Sequence, residues 1–318
     1  MSQSTELDAG KIKNNLQCGL IGTQVIVLDQ SGSTNDFVKA KSEQGADEGL
    51  IVIADRQTAG RGRFGRSWFS EPGVGIYLSV LLKPAIKPEQ LPGLTLMAGV
   101  ATVSAINEFS RVKATLKWPN DVLMNGKKLC GILCETCRVP TGENNKECHP
   151  EQSEGSFTGS QKEILRSFKL LRMTTNHFLN RLRSLFGLLQ TAPTECGGVV
   201  VGIGINVNHH PSQFQADLKP IATSINAENG APVDRTALIL SLIHHLDREY
   251  ASYQDGGCQA IIPKWSSMTD MFGKSVTVTR GKTATRGTAL RLEASGNLVV
   301  RTDDGRELSF DSGEVTLG

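Results

Sequence analysis

Gly60-Arg61-Gly62-Arg63-Phe64-Gly65-Arg66-Ser67-Trp68 sets three glycines and three arginines in nine residues and ends on an aromatic ring. Glycines let backbone N–H groups approach an anion closely. Guanidinium groups between them add bidentate donors for phosphate oxygens. A loop of this kind can also close after its ligand arrives and exclude water. The pattern suits a reactive, phosphate-containing intermediate that must be shielded from hydrolysis. A solvated basic loop has a similar composition, but the ordered alternation leading into Trp68 favours a ligand cover.

The flanking chain reads as alternating strands and helices around this loop, which spans residues 56–71. Apolar, β-branched runs at 25–29, 50–54 and 75–82 predict strands. Ser33-Thr34-Asn35-Asp36 offers an N-cap before a short helix to residue 41. Residues 94–109 carry small and apolar side chains on a helical period. Three more strands are expected at 116–118, 122–124 and 128–135, with Asn125-Gly126 marking a hairpin between the last two. Residues 199–207 read as a buried strand. A helix is expected over 235–253, with Leu238, Leu242, Leu246 and Tyr250 on one stripe. From Phe272 onward, short runs at 276–279, 289–292, 298–302 and 307–310 alternate with the turn pairs Ser295-Gly296 and Asp304-Gly305. They predict a small antiparallel barrel or sheet.

Residues 138–195 interrupt this order. They separate a pair of strand-like runs by nearly sixty residues, far beyond ordinary hairpin loops, and they resemble a translated dispersed repeat inserted in frame. The net charge of the 318-residue chain is only +2. That surplus sits in 138–195, so the rest gives no general drive toward nucleic acid or an anionic membrane. With 39% apolar and 21% charged residues the chain is globular in composition. No signal peptide or membrane span is apparent, and seven scattered cysteines read as reduced, cytoplasmic thiols. Cys134-Glu135-Thr136-Cys137 has a zinc-like spacing, but Cys130 and Cys134 fall on an apolar strand where cysteine acts as a small hydrophobe.

The glycine–arginine run closely resembles the signature of biotin–protein ligases. Further motifs follow in the same order: Ser33-Thr34-Asn35, Gln57, Lys117-Trp118-Pro119-Asn120-Asp121, Lys128-Leu129-Cys130-Gly131-Ile132-Leu133 and Gly202-Ile203-Gly204-Ile205-Asn206. The match covers 25–137 and 196–318. It implies an α+β fold related to class II aminoacyl-tRNA synthetases, with a mixed sheet, helices and a C-terminal SH3-like β-barrel. The expected organisation is an N-terminal segment at 1–24, a catalytic domain at 25–270 interrupted at 138–195, and the C-terminal domain at 271–318.

The resemblance also implies roles. Ser33, Thr34, Asn35 and Gln57 would hold the ureido ring of biotin, a planar set of donors and acceptors. Arg61, Gly62 and Arg63 would border both biotin and phosphate. Lys128 would be the catalytic lysine, between the biotin carboxylate and the α-phosphate of ATP. Arg63 and Asp121 would complete the catalytic set, with Asp121 orienting magnesium–ATP or else fixing a turn. Arg66, Trp68, Asn120 and Asn206 would meet ATP or the adenylate. The implied reaction is activation of biotin to biotinyl-5′-AMP, then transfer to a lysine of a biotin carboxyl carrier protein. A monomer or homodimer acting without nucleic acid or membrane is expected. The alternatives are a lipoate or octanoate ligase or transferase of the same fold, a biotin-operon regulator, or an inactive relic. About 24 residues before the first strand are too few for a three-helix DNA-binding module.

Overall fold

A computed structural model describes residues 7–16, 19–86, 90–138 and 198–318. Its centre is a seven-stranded sheet in the order β1-β2-β3-β7-β6-β5-β4. The strands are β1 Gln24–Ser31, β2 Leu50–Gln57, β3 Gly75–Leu82, β4 Ala114–Lys117, β5 Asp121–Met124, β6 Lys127–Cys137 and β7 Gly198–Asn206. Only the β1–β2 pair is parallel among these neighbours. The described helices are α1 Ala9–Asn15, α2 Thr34–Glu43, α3 Leu91–Phe109, α4 Ile225–Asn229 and α5 Arg235–Ser267.

Alternation along the strands decides which helix covers which face. Ile51 and Ile53 of β2, with Ile76, Leu78 and Val80 of β3, join the main core beneath α3 and α5. Leu50 and Val52 point the other way, toward Val38 of α2, Leu81 and Val200. β3 is buried along its whole length, which explains why it reads as a continuous apolar run.

The two runs on either side of 138–195 pair as antiparallel neighbours, in register from Cys130↔Ile205 to Cys137↔Gly198. Their backbone groups need partners, and each supplies the other's. Residues 139–197, which hold all but the first residue of the insertion, lie outside the described residues. Because the ladder closes at Cys137↔Gly198, replacing residues 139–196 with a four-residue turn is expected to keep the fold. Arg138 is retained because its carbonyl accepts from Ser42 Oγ. A long loop adds little closure cost, about 0.6 kcal/mol for each doubling of length. The measurement is the melting temperature of the shortened chain; loss of cooperative unfolding makes the segment an element of the fold.

Two expectations need correction. The helix expected over 235–253 continues to Ser267, through non-helical Gly257 (φ 60°, ψ −151°) and past Pro263. Glu249 Oε2 and Lys264 Nζ lie 2.6 Å apart, whereas fifteen residues of straight helix would separate their backbones by about 22 Å. The chain therefore folds back near Gly257, and α5 is two helical pieces. Gly256-Gly257 and Pro263 mask that second piece in the sequence, because both residue types oppose helix. The C-terminal sheet, in turn, is open. Its strands β8 Ser275–Arg280, β9 Thr283–Leu292, β10 Leu298–Thr302, β11 Glu307–Phe310 and β12 Glu314–Leu317 run in the order β11-β10-β9-β8-β12. The edges β11 and β12 are joined covalently by residues 311–313 and not by a ladder, so no closed barrel forms. Among the described residues, no helix is long and apolar enough to cross a membrane.

Candidate active site

The glycine–arginine loop is more ordered than a loop reading suggests. Gly62 N donates to Arg66 O (2.7 Å) and Trp68 N to Gly60 O (2.8 Å), which makes it a small hairpin. Its tip is a 3₁₀ turn at Arg63–Gly65, where Phe64 takes a left-handed conformation (φ 58°). Non-glycine residues adopt that region rarely. The Phe64 ring is 67% exposed and lies 4.8 Å from the Arg63 guanidinium. The hairpin borders a cavity of about 230 Å³ that is lined by β6 and β7 near the middle of the sheet.

One end of the cavity is polar. The start of α2 and the end of β2 bring Ser33, Thr34, Asn35 and Gln57 to its wall. Thr34 N and Oγ1 lie 2.9 and 3.1 Å from Gln57 Oε1. Ser79 Oγ of β3 lies 2.7 Å from Thr34 Oγ1 and 2.6 Å from Asn35 Oδ1. Ser33 occupies the N-cap position of α2 without capping it by its side chain, so its hydroxyl is not committed to the helix. Asn35 is 4% exposed, with its Nδ2 donating to Glu135 Oε2 at 2.6 Å.

The other end is cationic. Lys128, at the start of β6, sets Nζ 2.6 Å from Asp121 Oδ1, and Lys117 Nζ lies 3.3 Å from Asp121 Oδ2. Arg63 Nη1 donates to Asn120 Oδ1 (3.1 Å) and to Gly313 O (3.2 Å), linking the hairpin to the C-terminal sheet. Burial lowers the affinity of Arg63 for its proton below the usual guanidinium value. Arg66 pairs with Glu314 on the same C-terminal segment. Asn206 lies at the end of β7 and joins the lining of the same cavity.

Trp68 forms the floor between the two ends. Gly131 and Gly204 are register partners on β6 and β7. A Cβ on Gly204 would fall 2.5 Å from Trp68 Nε1, and one on Gly131 would fall 3.0 Å from Trp68 Cζ3. The indole thus rests on a bare patch of sheet that only glycine provides. Lys128 Nζ sits 5.6 Å from the ring centroid, within range of a cation–π attraction.

Every expected site residue therefore borders one cavity, but two are engaged otherwise than the sequence implied. Arg61 forms a two-pronged ion pair with Asp36 at 2.5 and 2.6 Å and lies 3.7 Å from Glu135. Its hydrogen bonds hold the Asp36 carboxyl below the ordinary carboxylate range, and Asp36 raises the Arg61 guanidinium in return. Asp121 is held between two lysines. Sequence reading missed Ser79, Glu135 and the stretch 214–222, and gave Lys117 a place in a motif but no role. Phe214, Leu218, Ile221 and Ala222 line the cavity, and Lys128 pairs through its backbone with both Ile221 and Thr223. No periodic signal marks that irregular stretch, and Glu135 reads as the polar end of an apolar strand.

Burial raises the Cys134 thiol to about 11 and pushes Cys130 up as well. His209 is fully buried and stacks on Phe214 at 5.3 Å; burial lowers its pKa to about 4.

Residues 27–145 match the biotin/lipoate A/B protein ligase family, and residues 271–318 match the biotin protein ligase C terminal domain. The chain is 31% identical to the bifunctional ligase/repressor BirA of Bacillus subtilis over 313 residues, 98% of this chain and 80% of that protein. It is 43% identical over 120 residues to the biotin--[acetyl-CoA-carboxylase] ligase of Mycobacterium tuberculosis, 36% of this chain and 45% of that one. Among solved structures, the biotin protein ligase from Aquifex aeolicus in complex with biotin and ATP shares the fold. Its TM-score is 0.67 at 24% identity, covering 93% of this chain and 99% of that one.

Proposed function

The chain belongs to the biotin protein ligase family, and we propose on that premise how its cavity does the work of a ligase. It activates biotin with ATP and transfers it to the carrier of a biotin-dependent carboxylase. In the first step a biotin carboxylate oxygen attacks the α-phosphorus of ATP, the α–β phosphoanhydride bond breaks, and pyrophosphate leaves with the bonding electrons. In the second, a neutral lysine amine of the carrier attacks the acyl carbon. The acyl–oxygen bond breaks, AMP leaves, and the amine loses a proton.

One observation carries the assignment of residues: a polar wall and a cationic cluster line a single cavity together with Trp68. The wall of Ser33, Thr34 and Gln57 matches the donors and acceptors of the ureido ring. Thr34 and Gln57 are already fixed by their mutual hydrogen bonds, so they are set before the ligand arrives. An octanoyl or lipoyl chain would leave that wall unmatched, which costs affinity through unpaired buried polar groups. Lys128 is the cation that offsets the two approaching anions; Asp121 and the Trp68 ring hold its ammonium in place. Arg63 covers the phosphate, with Asn120 aiming it; Arg61, Gly62, Arg66 and Asn206 border the nucleotide.

Magnesium would enter with ATP and would supply charge neutralisation at the phosphates. Asp121 does not fit a resident metal site, because Lys117 and Lys128 take one oxygen each. Its carboxylate instead orients Lys128. The acceptor is a carrier protein and not a nucleic acid, in keeping with the net charge of +2. Cys130, Cys134, Cys137 and Cys258 are free thiols, as suits a cytoplasmic enzyme.

The test is incorporation of labelled biotin into a biotin carboxyl carrier domain with magnesium–ATP; no incorporation by the intact chain refutes the reading. A second expectation concerns Arg63→Ala. It should release biotinyl-5′-AMP on the order of ten- to a hundred-fold faster while biotin affinity changes little, since removing a charged hydrogen bond costs about 1.5–3 kcal/mol. Leakage is read as biotinylation of bystander lysines. Retention as tight as in the unmodified chain would remove Arg63 from the cover.

A further inference from the structure

We propose that Glu135, acting through Asn35 and Ser79, is a positioning residue that makes the Thr34 hydroxyl an acceptor toward the ligand. The inference rests on the assignment of the polar wall to the biotin ureido group. It starts from a proton inventory. A carboxylate accepts only, so the 2.6 Å contact at Glu135 Oε2 must be a bond from Asn35 Nδ2. The second proton on Nδ2 has Leu133 O at 3.3 Å. The Asn35 amide is thereby oriented, with Oδ1 turned to Ser79.

An amide oxygen also accepts only, so Ser79 gives its single proton to Asn35. Ser79 Oγ then meets Thr34 Oγ1 at 2.7 Å with lone pairs alone. The one Thr34 hydroxyl proton has two acceptors inside the protein, Ser79 Oγ at 2.7 Å and Gln57 Oε1 at 3.1 Å. Whichever takes the larger share, that proton is committed to an acceptor within the protein. Thr34 offers the cavity lone pairs, which match a ureido N–H and reject a ligand atom that itself needs a proton. If the Asn35 amide turned over, Ser79 would accept from Asn35 and donate to Thr34, using a Thr34 lone pair that the ligand needs.

Two features lock the amide in this orientation. Lys39 Nζ lies 2.7 Å from Glu135 Oε1 and holds that carboxylate oxygen in place. Gly202 leaves the room Asn35 occupies: a Cβ there would fall 2.1 Å from Asn35 Oδ1. The acidic residue of β6 thus reaches biotin through three side chains without touching it.

The test measures pyrophosphate exchange by the full chain with biotin, and with octanoate as a ligand that has a carboxylate but no ureido group. Glu135→Ala should raise KM for biotin about ten- to thirty-fold. The rate at saturating biotin, the KM for ATP and octanoate turnover should stay within about twofold, so preference for biotin falls. Glu135→Gln should restore most of the preference, because its carbonyl still accepts from Asn35. In a Thr34→Val background Glu135→Ala should add little, since residues acting as one unit are not additive.

Additive losses would place Glu135's effect in its contact with Arg61 and overturn the proposal. So would an unchanged biotin KM in Glu135→Ala. If Glu135→Ala fails to fold, Ser79→Ala tests the same chain of protons and should show the same selective rise in KM; an equal fall for octanoate overturns it. Failure of the unmodified chain to activate biotin is a separate result, against the function itself.

Discussion

Lys128→Ala is expected to slow formation of biotinyl-5′-AMP by on the order of a hundred- to a thousand-fold, while biotin still binds. Removing one preorganised donor from a site of developing charge typically costs that much. Lys128 Nζ is held 2.6 Å from Asp121 and 5.6 Å from the Trp68 centroid, so its position is fixed before substrates arrive. The ureido wall lies at the far end of the cavity and keeps its hydrogen bonds in the variant. Biotin affinity from calorimetry should therefore fall by much less than the pyrophosphate-release rate. Lys117 stays paired with Asp121, so the carboxylate is not left bare. Near-normal pyrophosphate release would take the catalytic role away from Lys128, and an equal loss of binding would make it a binding residue only.

Gly204→Ala should be nearly as damaging, for a steric reason. Its Cβ would fall 2.5 Å from Trp68 Nε1 and 2.6 Å from Cε2, closer than any real contact. Trp68 must shift off β7, disturbing the floor and the Lys128 contact with it. We expect kcat/KM for biotin to fall on the order of a hundred-fold, with about 1–3 kcal/mol lost from stability by overpacking. Combining Gly204→Ala with Trp68→Phe should lose little beyond Trp68→Phe alone, since the clash is then relieved. Strict additivity of the two losses would show that Gly204 matters for something other than the indole.

Much of this site could be read along the chain because its elements are local. The hairpin turn at Asn125-Gly126 is one example: both residues adopt positive φ (50° and 77°), the geometry that an Asn-Gly pair favours. The glycine–arginine run, the apolar strand β3 and the stripe of α5 are others, each set by a period or a backbone preference within a few residues. The family motifs named Ser33, Thr34, Gln57, Arg63 and Lys128, and the fold gathers all five around one cavity.

What the chain alone determined was therefore the elements, the order of the motifs and the residue types at the reacting centre. Tertiary structure decided which polar atoms remain free for a ligand, because hydrogen-bond valence is settled by neighbours distant in sequence. Arg61 is engaged by Asp36, and Asn35 by Glu135 one hundred positions away. Long-range packing also decided that two bare glycines on adjacent strands form the seat of Trp68, and that Gly313 joins Arg63. It decided that α5 doubles back to set Lys264 on Glu249. Periodicity reports which face of an element is buried; it carries no information about which donor meets which acceptor once distant faces are pressed together.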